Sequence, residues 1–497
     1  MQSRLECSAV RHDEDATTVV LKSTPEGVLA RATKQKGVYY LLGGEGMHFL
    51  KWLYPGMKFK RWLLLFSAGV ICASLGLAIV FNYKYIGVVE EAIFRLFYLT
   101  TGNYYYAVTT ITGTAIILLG LSIMLAATQQ IIKSVISVLV PEGSDKLVEI
   151  IFEKRKLNRG PAITVIGGGT GLSVLLRGIK SITSNLTAVV TVADDGGSSG
   201  RLRADLGIIP PGDLRNCLVA LADTEPLMEK LFQHRFGGTG ELAGHNFGNL
   251  FIAAMTEIVG DVEQALKESS KVLAVRGQVL PSSTERVLLA AKMTDGTIVK
   301  GESKIPLSGK TIKQVYIEPR DVRPLKGAIE AIRDADACIL GPGSLYTSVI
   351  PNLLVQGIAE AVSDSDAVKI YICNVMTQPG ETDGYSAYDH IKAILDHSGP
   401  GTIDIAVVNV QEIAPELREI YAEQGAYPVE PDIEAIEKLG IKVVKANLVS
   451  ETNLVRHDPA RLSRTLMSLV YDLKLNSDRM RLLDYYIMAE SIKKLKD

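Results

Sequence analysis

Two strand–turn–helix patterns, about thirty residues apart, constrain the fold of this chain more than any other feature. The first is Ile163-Thr-Val-Ile-Gly167-Gly168-Gly169-Thr170-Gly171-Leu172. The second is Val189-Val-Thr-Val-Ala-Asp194-Asp195-Gly196-Gly197-Ser198-Ser199-Gly200-Arg201. Each turn follows a short apolar, β-branched run, the pattern of a strand buried on both faces of a parallel sheet. Together they predict the first strands of a doubly wound, mainly parallel, Rossmann-like α/β sheet, with both turns at the carboxyl edge where ligands bind. Gly167, Gly168, Gly169 and Gly171 leave no Cβ between the backbone N–H groups and an anion. The helix expected from about Leu172 aims its positive end at the same place. A phosphate-bearing ligand is the expectation.

Further polar loops follow other strand-like segments. In Pro210-Pro211-Gly212-Asp213-Leu214-Arg215-Asn216-Cys217, Asp213 reads either as a helix N-cap or, with Arg215 and Asn216, as a ligand contact. In Gly244-His245-Asn246-Phe247-Gly248-Asn249, the amides of Asn246 and Asn249 suit a base edge or sugar hydroxyls. His245 there reads as acid or base, or as a structural residue at a helix start. Gly341-Pro342-Gly343-Ser344 repeats the logic of the first turn, and Asn374 to Thr377 follows another strand-like run. Asp194 and Asp195 are expected at the end of the second strand. They could take a ribose hydroxyl pair, hold Mg²⁺ beside a phosphate, or cap the following turn. Ser198, Ser199 and Arg201 add hydroxyls and a cation able to grip a phosphate.

The glycine spacing G-G-G-T-G departs from the dinucleotide fingerprint G-x-G-x-x-G, which weighs against an NAD-dependent oxidoreductase. A net charge of −2 gives no basis for nucleic-acid binding. Five cysteines with no C-x-x-C pair indicate neither a zinc site nor a disulfide scaffold.

The first third differs in kind. Residues 63–81 carry no charge, and a second uncharged stretch runs over 96–132 with its apolar core at 108–127. Each is long enough to span a bilayer as a helix. Basic residues before the first run and after the second predict a two-helix hairpin in the cell membrane (57–137). Both termini and the main domain are then cytoplasmic, with a short loop at 82–95 outside. Residues 1–56 read as an N-terminal cytoplasmic segment and 138–160 as a linker, possessing a basic stretch at 153–156. From 161 onward strand-like and helix-like segments alternate. A strand is expected at 187–193, helices at 250–269, 350–362 and 387–396, a hairpin at 295–301, and an amphipathic helix at 473–497, a candidate protomer contact in a homo-oligomer.

In order, the segments GGGTGL, ADDGGSSGRLR, PPGDLRNCL, GHNFGNL, LGPGSLYTSVIPNLLV, NVMTQPGET and RHDP (Arg456 to Pro459) resemble the CofD-like superfamily. That superfamily includes 2-phospho-lactate transferase and the gluconeogenesis factors. The likeness spans about residues 161–465, is nearest the gluconeogenesis factor branch, and extends to its long membrane-anchored members. It implies a Rossmann-like core that binds a UDP-sugar such as UDP-N-acetylglucosamine. It further implies a regulatory part in cell shape and cell-wall supply during growth on gluconeogenic carbon, exercised through cytoplasmic partner proteins. The transferase branch implies Mg²⁺-assisted transfer of a phospholactyl group from a nucleotide diphosphate to a deazaflavin, with Asp194, Asp195 and Asp213 as metal ligands or base. PPGDLRNCL departs from the transferase pattern. A scaffold with a vestigial pocket is the remaining alternative.

Overall fold

A computed structural model of the chain describes residues 7–13, 16–22, 29–35, 38–42, 84–102, single positions between 70 and 122, and 147–223, 226–450 and 455–476. It divides into two units, Met1–Lys154 and Arg155–Asp497, the break falling within the expected linker.

In the first unit β1 (Cys7–Asp13), β2 (Ala16–Lys22), β3 (Leu29–Gln35) and β4 (Val38–Leu42) form an antiparallel meander. Helix α1 (Lys84–Thr101) replaces the loop expected at 82–95. Val89, Ile93 and Phe97 recur there every four residues, a helical period that the charges of Glu90, Glu91 and Arg95 obscured. The runs 63–81 and 108–127 lie almost wholly outside the described residues. Among the described residues no helix is long and apolar enough to cross a membrane.

The second unit begins within the last turn of α2 (Leu147–Leu157). Its sheet opens with β5 (Ile163–Gly167), β6 (Leu186–Val190) and β7 (Gln278–Pro281). A three-stranded antiparallel insertion comes next: β8 (Leu288–Met293), β9 (Ile298–Lys300) and β10 (Ile312–Glu318). The main sheet resumes with β11 (Ala337–Leu340), β12 (Val368–Ile372), β13 (Ile405–Asn409) and β14 (Lys442–Ala446). All seven strands run parallel in the order β14-β13-β12-β11-β5-β6-β7. Counted from β5, this is the order 3-2-1-4-5-6 of dinucleotide-binding folds with one strand added at an edge. The direction of winding reverses between β5 and β11, and the crevice outside their carboxyl ends is where such folds bind ligands.

The connecting helices are α3 (Gly169–Ile179), α4 (Gly197–Leu206), α5 (Gly212–Leu221), α6 (Pro226–Gln233), α7 (Phe247–Val259), α8 (Val262–Val272), α9 (Lys326–Arg333), α10 (Ile350–Leu353), α11 (Ile358–Asp364), α12 (Ala387–Ser398), α13 (Pro415–Ala422), α14 (Ile433–Glu437) and α15 (Pro459–Asn476). Strand β5 is buried along its whole length. On α3, Leu172, Leu175, Leu176 and Ile179 have no exposed surface. Burial of each is worth about 1.5–3 kcal/mol, which fixes this helix beneath the first turn.

Several boundaries differ from the sequence reading. The helix expected at 250–269 is two helices, because Gly260 adopts φ +79° and ends α7 while the Asp261 carboxylate caps α8. The segment 350–362 is likewise split, with Gly357 left-handed at φ +81°. Strand β6 ends at Val190, so Asp194 and Asp195 lie in the loop beyond it. The hairpin near 295–301 is present as β8–β9. The helix expected at 473–497 is continuous with α15 as far as Asn476; the remainder lies outside the described residues.

Candidate functional site

The first and fifth polar loops meet at the switch point. Glycine is required there by contact: a Cβ on Gly171 would come 2.7 Å from the Pro342 carbonyl oxygen, and one on Gly343 would come 3.1 Å from that of Gly168. Gly167 faces the Gly341 backbone at 3.8 Å from the same construction. Two residues turn sharply through positive φ, Gly169 at +68° and Gly341 at +77°, a region open to glycine at little cost. Asn352, fully buried on α10, fastens the floor. Its Nδ2 donates to the Gly167 carbonyl at 3.1 Å and to that of Ser348 at 2.8 Å. Asn374 Nδ2 donates to the Gly343 carbonyl at 2.9 Å. Thr170 is exposed and Ser344 half-exposed, and Ser344 makes no side-chain cap bond. Helix α3 likewise has no side-chain cap from Gly168. Neither α3 nor the short Leu345–Val349 segment is capped by its own N-cap side chain; backbone N–H groups at the first donate to Asp213 and those at the second to Glu381.

The β6 side supplies charge. Asp194 Oδ1 accepts from the Gly196 N–H at 2.9 Å, and Asp195 Oδ1 accepts from the Ser303 N–H at 2.9 Å. Asp195 thereby ties the crevice to the insertion, whose chain turns there through two short 3₁₀ segments, Glu302–Lys304 and Pro306–Ser308. The insertion is held on the far side as well: the Pro306 carbonyl packs directly on Gly380, in the loop after β12. Glu302 directly precedes the first of these anchors, Ser303. Burial, with Asp194, Asp195, Glu381 and Asp213 facing it, pushes its carboxyl up to about 8. Glu381 is buried; its Oε1 accepts from the Thr347 hydroxyl at 3.0 Å and from Gln378 Nε2 at 2.8 Å, and its Oε2 has no partner. Burial raises it to about 7.

Asp213 does not cap its own helix. Pro211 occupies the N-cap of α5, and Asp213 projects from the first turn toward α3, where the Gly169 N–H donates to it. Burial and the Asp194 charge push its carboxyl up to about 6, against that hydrogen bond and the Arg215 charge. Arg215 donates to Asn249 Oδ1 at 3.0 Å and to Asn216 Oδ1 at 2.6 Å, while its buried Nε has no partner. Arg203 reaches the Asp194 and Val287 carbonyls.

Several expected ligand contacts are engaged within the protein. Asn246 caps α7 by accepting from the Asn249 N–H at 3.3 Å and donates to the Gln233 carbonyl at 3.0 Å. Asn249, buried, spends its amide on Arg215 and on Ser199 Oγ at 3.4 Å. Ser198 Oγ lies 3.2 Å from His245 Nδ1 and accepts from the Asn246 N–H. Arg201 donates to the Ala243 carbonyl at 2.9 Å at the surface. Thr377 is buried, its hydroxyl accepting from the Tyr427 N–H at 2.9 Å. Glu302 and Glu381 are the site residues that sequence reasoning passed over. Their only signals were an acid directly after the hairpin glycine Gly301 and one inside the NVMTQPGET run.

Mg²⁺ is usually held by one or two carboxylates together with substrate phosphates. Asp194 and Asp195 fit that sparse role, each keeping Oδ2 beyond its backbone bond. Among the described residues no group of three acidic, His or Cys side chains is arranged to hold a metal by itself.

Residues 163–449 match the family described as 2-phospho-L-lactate transferase CofD. The chain is 53% identical over 306 residues to the gluconeogenesis factor of Halalkalibacterium halodurans, covering 61% of this chain and 95% of that one. It is 52% identical over 315 residues to the gluconeogenesis factor of Bacillus subtilis, covering 63% and 99%. A Nostoc sp. protein given the same name provisionally is 49% identical over 428 residues, 84% of this chain and 92% of its own length. The crystal structure of a UPF0052-family protein from Bacillus halodurans superposes with a TM-score of 0.61 at 53% identity, covering 62% of this chain and 99% of that chain.

Proposed function

Because the chain belongs to the CofD family, we propose that the crevice between β5 and β11 binds a nucleotide sugar, a UDP-sugar such as UDP-N-acetylglucosamine, and that the protein acts as a regulator of the gluconeogenesis-factor type. The observation that carries this reading is the direct contact of the Gly167–Gly171 and Gly341–Ser344 turns at the switch point. A diphosphate seated there would meet backbone N–H groups of the two glycine turns and the positive end of α3, in place of the Asp213 carboxyl. The carboxyls of Asp194 and Glu302 face each other and Asp213, and carboxyl oxygens there would accept from sugar or ribose hydroxyls. Gluconeogenesis factor is the name carried by close relatives.

In this reading the liganded state is passed to cytoplasmic regulatory proteins that link carbon metabolism to cell-wall supply and cell shape. The runs 63–81 and 108–127 anchor the chain in the cell membrane, and the domain works as a homo-oligomer. The test is calorimetric titration of the full chain with UDP-N-acetylglucosamine. Binding without turnover, weakened at least tenfold by Gly169→Val, supports the reading; equal binding by that variant refutes the phosphate assignment.

The family description favours a second reading, a Mg²⁺-assisted transferase of the 2-phospholactate type. Bound Mg²⁺ would neutralise charge on a diphosphate, held by Asp194 and Asp195. The part of this chain is then positioning: α3 and the Gly341–Ser344 turn orient the diphosphate, and Asp213 holds or moves a proton at its carboxyl oxygen. Incubation with nucleotide-activated phospholactate and a deazaflavin decides it; absence of product removes this reading.

A further inference from the structure

We propose that Asp213 is a built-in competitor for the phosphate seat: its carboxylate rests on the N-terminal corner of α3 that a ligand phosphate takes, and the ligand must displace it. This inference rests on the reading of the glycine turns as a phosphate site and adds a regulating residue to it. Three observations converge. Helix α3 receives no cap from its own N-cap residue, Gly168, and the Gly169 N–H donates instead to Asp213, more than forty residues later in the chain. Asp213 Oδ2 lies so near the Gly168 backbone that a Cβ there would come within 2.6 Å of it, so the carboxylate fills the corner itself. Asp213 makes no cap on α5, whose N-cap position belongs to Pro211, so α5 does not need it where it stands.

Arg215, two residues on in the same helix and so on another face, packs against Gly248 of α7 and acts on Asp213 only as a charge at a distance. The corner at Gly169 cannot hold both a phosphate oxygen and an ionised carboxylate, because like charges in contact repel strongly. Asp194, which also faces Asp213, adds to the push away from that corner. The carboxylate therefore screens the site against weak anions and yields to a ligand that brings further contacts. Neutralising any carboxylate beside the seat eases anion entry through charge alone, so displacement is distinguished by where Asp213 stands once the phosphate is bound.

The experiment is titration of the full chain in detergent micelles with inorganic diphosphate, in EDTA, comparing wild type with Asp213→Asn and Asp213→Ser. Competition predicts that both variants bind at least tenfold more tightly than wild type. Unchanged or weaker binding by the variants, with wild type binding, overturns the proposal while leaving the crevice reading intact. No binding by any of the three overturns the crevice reading itself. Where the variants bind more tightly, or if neither folds, a crystal structure of the wild type with diphosphate decides the matter. A phosphate on the Gly169 N–H with Asp213 moved off Gly168 supports displacement; phosphate seated with the carboxylate still in place refutes it.

Discussion

Gly171→Ala tests the meeting of the two turns most directly. The added methyl would come 2.7 Å from the Pro342 oxygen, 3.0 Å from its carbonyl carbon and 3.3 Å from the Gly343 Cα. All three are backbone atoms, so no side chain can rotate away. Reaching an ordinary 3.4 Å contact requires the turns to part by about 0.7 Å. Overpacking of this kind costs about 1–3 kcal/mol, offset by about 0.5–1 kcal/mol because alanine suits a helix better than glycine. Net destabilisation is therefore small, about 0–2.5 kcal/mol, and the domain folds. Ligand binding responds more strongly. A hydrogen bond near 2.9 Å that lengthens by about 0.7 Å is no longer one. A guest bridging both turns then loses a bond to a charged group, about 1.5–3 kcal/mol, which is about tenfold to a hundredfold in affinity. Calorimetry with UDP-N-acetylglucosamine, alongside a thermal melt, separates the two effects. A Gly171→Ala protein that melts near wild type and binds equally well would refute the idea that one ligand bridges both turns.

Glu302 has a folded value of about 8 against the usual 4.5, so its contribution to stability is fully present below pH 4.5 and is lost as pH rises through 8. The melting temperature of the wild type should accordingly fall across this window, with Glu381 adding to the fall toward 7, and Glu302→Gln should flatten it; an identical slope in the variant counts against the acid cluster. Asn352→Ala removes donors to two carbonyls beneath the crevice and should cost about 1–3 kcal/mol, read by denaturant titration. Gly380→Ala places a methyl against the Pro306 carbonyl at a φ of +79° and should cost about 2–4 kcal/mol while loosening the insertion, read as faster proteolysis within 294–311.

What the sequence made legible follows how local each cause is. Glycine turns after buried strands depend on neighbouring residues, so 163–172 and 341–344 reveal both their conformation and, through the alternating elements, their shared sheet edge. Charged side chains are less readable because their partners are set by tertiary structure. Asp213 carries the local signature of an N-cap, yet caps a different helix, since Pro211 already holds that position on α5. Asn246 and Asn249 have the chemistry of ligand readers, but one caps α7 and the other aligns Arg215. Glu302 shows nothing in its own neighbourhood. It becomes part of the site only because Asp195 takes the Ser303 N–H and Gly380 receives the Pro306 carbonyl, bringing an antiparallel insertion to the edge of a parallel sheet. On the proposed reading the glycine turns define where an anion would sit, while the insertion decides which charges surround that place. Relatives that share the turns but differ in the insertion should retain a phosphate seat and differ in what they accept beside it.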